Sequence, residues 1–157
     1  MRLALYQPDI PQNAGTLLRL AACLGLAVDI IEPAGFPVSD RAFRRAGLDY
    51  LDHVEILRHA SFSAFDADRR AAGRRLVLLT TRAETRHHEA GFLDDDVVMV
   101  GRESSGVPEA VHQAAELRVR IAMRPELRSL NVAVAASIVL GEALRQTGGF
   151  PSSAPGV

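Results

Sequence analysis

Two short stretches, Leu76–Thr80 (LVLLT) and Val97–Val100 (VVMV), are apolar almost without a break. A strand with one wet face alternates polar and apolar residues. A run that does not alternate belongs to a strand buried on both faces, and such strands sit in parallel sheets covered by helices on either side. Leu3–Tyr6, Val28–Ile31, His53–Leu57 and Leu117–Ile121 read as further strands. Helices fill the intervals. Asn13 is placed to cap one that runs to about Leu24 and is stopped by Gly25, and Ser39 or Asp40 a short basic one with Arg41, Arg44 and Arg45, stopped by Gly47. Ser61–Ala72 ends before Gly73, Pro108–Ala115 has proline in its first turn, and Leu130–Gln146 is the last. This alternation predicts an α/β fold, a mainly parallel sheet flanked by helices.

The last helix is apolar nearly all round as far as Leu140, so it needs burial on most sides. One sheet face of a small domain does not cover such a helix, which points to a second copy of the chain. With 157 residues and no internal repeat, one domain over residues 1–150 is expected, followed by a disordered tail at 151–157. No stretch is long and apolar enough for a membrane span, and Met1–Tyr6 is too short for a signal peptide before Gln7, Pro8 and Asp9, so a cytoplasmic location is the default.

Composition removes several chemistries. One cysteine, Cys23, excludes a disulfide framework and a cysteine-rich zinc site, and Cys23 reads as a small buried helix residue. There is no lysine: all 18 basic residues are arginine. A Schiff-base lysine, a pyridoxal phosphate anchor and a P-loop are therefore excluded, whereas planar guanidinium groups suited to phosphate are plentiful. A net charge of −1 means that any nucleic-acid surface is local. Neither G-x-G-x-x-G after a strand nor H-E-x-x-H occurs, and the five histidines lack metal-ligand spacing, so no metal is expected. The adjacent His87 and His88 read as solvated side chains pointing apart, and Asp94–Asp96 as a charged turn entering a strand.

Three segments remain. In Ile10-Pro-Gln-Asn-Ala-Gly-Thr-Leu-Leu-Arg-Leu-Ala, helical spacing puts Gln12, Thr16, Arg19 and Cys23 on one stripe, with leucines on the others. By periodicity alone Arg19 is a snorkelling or ion-paired arginine. In Val100-Gly-Arg-Glu-Ser-Ser-Gly-Val-Pro108, a buried strand runs into a loop with two glycines and then a helix start, the place where parallel sheets bind ligands and where glycine allows close approach. In Ile121-Ala-Met-Arg-Pro-Glu-Leu-Arg-Ser-Leu-Asn-Val-Ala, a strand again leads through a loop to a helix that Ser129 or Asn131 would cap.

Taken in order, these segments resemble the three motifs of the SPOUT superfamily of RNA methyltransferases, in its SpoU-type 2′-O branch. The first motif has asparagine followed six residues later by arginine, as Asn13 and Arg19 stand here. The second is Gly-x-Glu-x-x-Gly-[Val/Leu]-Pro, here Gly101 to Pro108, and the third Ser-Leu-Asn-Val-x-x-Ala, here Ser129 to Ala135. The resemblance covers almost the whole chain. The lack of an appended RNA-binding domain, with Ile31–Pro33 and Arg44–Tyr50, is similar to the minimal subfamily that methylates the wobble nucleotide of tRNA. Arg102 stands where those members often have proline, and Gly141 where some have tyrosine.

The resemblance implies a C-terminal trefoil knot, in which the last helix threads a loop, and a homodimer with sites at its interface. It implies S-adenosylmethionine as cofactor, held by Leu79, Gly101, Ile121, Met123, Ser129 and Leu130, mostly through backbone groups. It assigns catalysis to Arg19, with Asn131 orienting the loop or the ribose. The expected reaction is methyl transfer to the ribose 2′-hydroxyl of nucleotide 34 of a tRNA, a cytidine or modified uridine. Arg41, Arg44, Arg45 and Arg128, joined by Arg124, are the expected grips on the anticodon loop. The alternatives are the same chemistry at another tRNA or rRNA position, and a non-catalytic RNA-binding protein on the same fold.

Overall fold

The computed structural model describes residues 1–37 and 48–152. The expected basic helix with Arg41, Arg44 and Arg45, and most of the expected tail, lie outside the described residues.

Seven strands form one sheet in the spatial order β3-β2-β1-β6-β4-β7-β5, and every pairing is parallel. They are β1 (Arg2–Tyr6), β2 (Ala27–Ile31), β3 (Ile56–His59), β4 (Leu76–Leu79), β5 (Thr85–Arg86), β6 (Val97–Val100) and β7 (Leu117–Arg120). Strands β1 and β6, the middle of the sheet, are buried along their whole length, and β4 nearly so, as uninterrupted apolar runs require.

Alternate side chains divide the core. Leu3, Leu5, Val98 and Val100 point to one face, where α1 (Pro11–Leu24) and α4 (Val132–Thr147) cover them with Leu17, Leu18, Val139 and Leu140. Ala4, Tyr6, Val97 and Met99 point to the other face, where α2 (Phe62–Ala71) and α3 (Glu109–Ala114) supply Phe65 and Val111. Hydrogen-bonded polar pairs fasten the sheet. Asp29 takes Arg2 Nε at 2.7 Å and His59 Nε2 at 2.9 Å. Arg69 joins α2 to Glu116 at 3.0 Å. Asp96, fully buried, takes Arg75 in a two-pronged pair with both contacts at 2.8 Å. The acidic turn before β6 is thus a structural clamp.

Several details differ from the sequence reading. The N-cap of α1 is Ile10, with Pro11 in the first helical position, and Asn13 lies inside the helix. Proline there is preset to a helical φ and lacks only an N–H that would have been unpaired. Cys23 is exposed. It shares its stripe with Gln12, Thr16 and Arg19, and that whole stripe faces outward. The strand expected at His53–Leu57 starts at Ile56, after a 3-10 turn at Leu48–His53. Parallel pairing sets Ile31 opposite His59, and the His59–Asp29 bond holds that register. His87 and His88 do not point apart: in a 3-10 turn their rings meet edge to face with centroids 5.2 Å apart, His87 half-buried and His88 exposed. The last helix is not buried on most sides within one chain, for Val134 is 50 % and Ile138 39 % exposed. Among the described residues no helix is long and apolar enough to cross a membrane.

Candidate active site

The carboxyl ends of β1, β6, β4 and β7 open onto one cavity of about 480 Å³. Its walls come from the segments that leave those strands. Ile10 and Asn13 follow β1, Gly101–Glu103 with Gly106 and Val107 follow β6, Leu79 to Thr81 end and follow β4, and Ile121 and Met123 follow β7. Ser129, Leu130 and Asn131 close the ring at the start of α4. All six residues expected at the cofactor, Leu79, Gly101, Ile121, Met123, Ser129 and Leu130, line this one cavity, and Asn131 joins them.

Glycine is needed at two points of the loop after β6. Arg102 and Gly106 close it with a pair of backbone hydrogen bonds, Arg102 N–H to Gly106 at 3.0 Å and Gly106 N–H to Arg102 at 2.7 Å. The turn requires φ +68° at Gly106, a left-handed conformation. A Cβ on Gly101 would stand 2.9 Å from the Gly106 carbonyl carbon, so no side chain fits where the strand passes under its own loop.

Two cross-links hold the rim. Asn131 caps α4, its Oδ1 accepting from Ala133 N–H at 2.9 Å and Val134 N–H at 3.3 Å. Its Nδ2 donates to Asn13 Oδ1 at 3.0 Å, tying α4 to the first turn of α1 across most of the chain length. Asp9 and Glu103 form the second link. Each backbone N–H donates to the other's carboxylate, at 3.2 and 3.1 Å, and the Ser104 hydroxyl donates to Asp9 as well. The shared hydrogen bond with Glu103 is the main reason that the Asp9 carboxyl is lowered to about 2, while burial, followed by the nearness of Asp9, raises Glu103 above its usual range. Glu103 is therefore committed to tying the glycine loop to the segment after β1. Arg102 leans on the same carboxylate, with Nε 3.4 Å from Asp9 Oδ2.

Arg19 lies elsewhere. It is on the exposed stripe of α1, outside the cavity lining, with its guanidinium carbon 4.6 Å from the centroid of the Tyr50 ring. Arg124 and Arg128 are exposed on the loop after β7, and neither forms an ion pair with any described residue. Many other arginines are spent on carboxylates: Arg58 on Glu32, Arg82 on Glu109, Arg145 on Glu142. Arg41, Arg44 and Arg45 fall outside the described residues. Sequence reasoning missed Asp9 and Tyr50. Asp9 carried a faint signal, since it follows a strand end two residues before a proline-started helix, whereas the contact of Tyr50 with Arg19 left none.

A family model, the SpoU rRNA Methylase family, matches residues 1–141. The chain belongs to the SpoU methylase family. A relative in Ancylobacter novellus, named tRNA (cytidine(34)-2′-O)-methyltransferase, is 61 % identical over 156 residues, which span 99 % of each chain. Another of that name in Beijerinckia indica is 66 % identical over 93 % of this chain and 91 % of its own. A solved structure concerned with the 2-OH methylation of C/U34 on tRNA superposes with a TM-score of 0.87 at 43 % identity, covering 92 % of this chain and 94 % of its own. The SpoU methyltransferase AviRb from Streptomyces viridochromogenes, solved in complex with AdoMet, gives 0.84 at 27 % identity over 93 % of this chain and 60 % of that one. Of the SpoU motifs read from the sequence, the second and third are loops that line the cavity, and the first reaches it through Asn13 on α1 while its Arg19 lies outside.

Proposed function

We propose that this SpoU methylase is an enzyme that transfers a methyl group from S-adenosylmethionine to the ribose 2′-hydroxyl of the wobble nucleotide of a tRNA, position 34, a cytidine or modified uridine. The observation that carries the proposal is the convergence of the three SpoU motifs on one cavity, in a chain that matches full-length relatives of that activity.

The cavity suits the cofactor. Its volume is in the range that takes a ligand of that size. Leu79, Ile121 and Leu130 give it apolar walls, Ser129 and Asn131 give it polar groups, and Gly101 keeps the backbone bare beside it. Bound there, S-adenosylmethionine supplies a methyl group activated by its sulfonium. The chain's own task is the acceptor. A ribose hydroxyl is a poor nucleophile until its proton leaves, so the protein has to align it and stabilise the developing oxyanion. Arg19 is assigned to that side. A guanidinium stays protonated at working pH, so Arg19 grips the neighbouring phosphate and the oxyanion, and the phosphate or a water takes the proton. Asn131 is assigned to orientation, because its amide is spent on the α4 cap and on Asn13. The unpaired Arg124 and Arg128, with Arg41, Arg44 and Arg45, are assigned to the anticodon-loop phosphates, and binding then weakens with salt.

The finer architecture belongs to the same reading. The segment after β7 passes the loops that follow β4 and β6 before α4 packs on α1, which supports a C-terminal trefoil knot in which α4 threads a loop. Exposed Val134 and Ile138 on α4 support a homodimer. In such a dimer, with sites at its interface, Arg19, which lies outside the cavity of its own chain, is assigned to the acceptor held at that interface. Residues 1–150 act as one methyltransferase domain, in the cytoplasm with its tRNA.

The test is to incubate the protein with total tRNA and labelled cofactor and to map the methylated nucleotide. Label at the 2′-oxygen of position 34 is expected. Label confined to a D-loop nucleotide would retire the target, and no transfer to total tRNA or, in a parallel incubation, to ribosomal RNA would retire the enzyme. Arg19→Ala is expected to abolish transfer and to leave cofactor affinity within about twofold, the signature of a group that acts on the acceptor.

A further inference from the structure

Arg19 has an unusual setting for an exposed arginine. Among the described residues no carboxylate pairs with it; its partner is Tyr50, in the 3-10 turn Leu48–His53 packed against α1. The guanidinium carbon is 4.6 Å from the ring centroid, inside the range of a cation–π contact. Nη2 also donates to the Tyr50 hydroxyl at 3.5 Å, a long and weak bond.

The choice of an aromatic partner has a chemical consequence. A lone arginine on a helix surface samples many rotamers, and each has to be given up when it meets its target. A carboxylate would hold it equally well, but would neutralise the charge and occupy the N–H donors. The face of a tyrosine ring restrains the cation through its quadrupole, keeps the full positive charge and leaves most edge donors free for phosphate or oxyanion. Arg2, Arg69 and Arg75, which fasten the sheet, are matched to carboxylates, and half-buried Arg118 donates to the carbonyls of His112 and Ala115. Arg19 is treated differently by the fold.

We propose that Tyr50 is a positioning residue for methyl transfer, holding the Arg19 guanidinium charged and preset through its ring face. The proposal rests on the assignment of Arg19 to the acceptor. It concerns the rate of the chemical step, and cofactor binding is expected to be unaffected, since within one chain neither residue lines the cavity.

The experiment replaces Tyr50 by phenylalanine, by phenylalanine bearing one, two and three ring fluorines, and by leucine. Single-turnover methyl transfer to tRNA is measured at saturating cofactor and tRNA, with Arg19→Ala in parallel. Tyr50→Phe is expected to stay within about twofold, because it keeps the ring face and loses only the long hydrogen bond. Each fluorine drains the ring face with little change of shape, so the rate is expected to fall stepwise along the series. Tyr50→Leu is expected to be slower by about 5- to 30-fold, with cofactor affinity unchanged. If Tyr50→Leu does not fold, the fluorinated series, which keeps the ring volume, decides alone. A flat series overturns the proposal even where Tyr50→Leu is slow, for the ring then only packs. If Arg19→Ala loses transfer while the series is flat, the Arg19 assignment stands and Tyr50 alone is rejected. If Arg19→Ala transfers at the normal rate, the assignment of Arg19 fails and takes the role of Tyr50 with it.

Discussion

Replacing Gly101 by alanine tests whether the close passage of β6 beneath its own loop belongs to the cofactor site. The added Cβ would stand 2.9 Å from the Gly106 carbonyl carbon, 3.0 Å from Gly106 Cα and 3.2 Å from Val107 Cγ1. Carbon contacts settle near about 3.5 Å or beyond, so something has to retreat by roughly half an ångström. The nearest atoms are backbone, pinned by the two hydrogen bonds between Arg102 and Gly106 at 2.7 and 3.0 Å. Overpacking of this kind costs about 1–3 kcal/mol. If the strain is relieved by opening the loop, the closed form is depopulated by that amount, and apparent cofactor affinity falls by about 5- to 150-fold. Calorimetric titration with S-adenosylhomocysteine reads the affinity, and thermal melting reads what remains as lost stability. Gly91→Ala is the control, because a Cβ there meets nothing within 4 Å. Wild-type affinity in Gly101→Ala would refute the reasoning, whatever the melting temperature did, for it would separate the glycine loop from the ligand.

Arg75→Ala leaves the fully buried Asp96 with only the Leu93 N–H at 2.9 Å, and should cost about 3 kcal/mol or more in denaturant unfolding; a loss under about 1 kcal/mol would mean that the clamp is not structural. The Asp9–Glu103 link should depend on pH in two opposed ways. Asp9, lowered to about 2 from 3.8, stabilises the fold above its ordinary value and loses that contribution as pH falls toward 2. Glu103, raised above 4.5, stabilises below its ordinary value and loses that contribution as pH rises through its folded value. Glu103→Gln cannot lose a proton, so its stability relative to wild type should rise as pH increases from about 4 to 7 in parallel unfolding curves; a difference that is constant over that window would contradict the upward shift of Glu103. Val134→Asp or Ile138→Asp places a charge on a face already exposed in one chain, so light scattering should report monomers that keep their fold and circular dichroism; an unchanged dimer would remove that face of α4 from the interface.

Much was legible because it is local. Uninterrupted apolar runs identified β4 and β6, and Gly25 and Gly73 mark the points where helices stop, each with a left-handed φ. The family resemblance pointed to Leu79, Gly101, Ile121, Met123, Ser129 and Leu130, and all six line one cavity. The outward stripe of α1 was visible as a set, Gln12, Thr16, Arg19 and Cys23, yet periodicity alone did not say which stripe faces water, and Cys23 was placed inside. The start of β3 slipped for a similar reason: its register is set by His59 finding Asp29, a partner 30 residues away.

By itself the amino-acid sequence determined most of the repertoire of this chain: its helices and strands apart from β5 and the start of β3, which loops carry glycine where backbone has to come close, and which chemistries the absence of lysine and of paired cysteines removes. These follow from propensity, periodicity and residue type over a few neighbours. The tertiary structure alone decided that β4 lies between β6 and β7, that Asn13 meets Asn131, that Glu103 is spent on Asp9, and that Arg19 stands on Tyr50 outside the cavity. The reason is physical. Strand order and loop convergence are settled by non-local pairing and by which faces are buried together, and such contacts lie between segments whose local preferences are indifferent to one another.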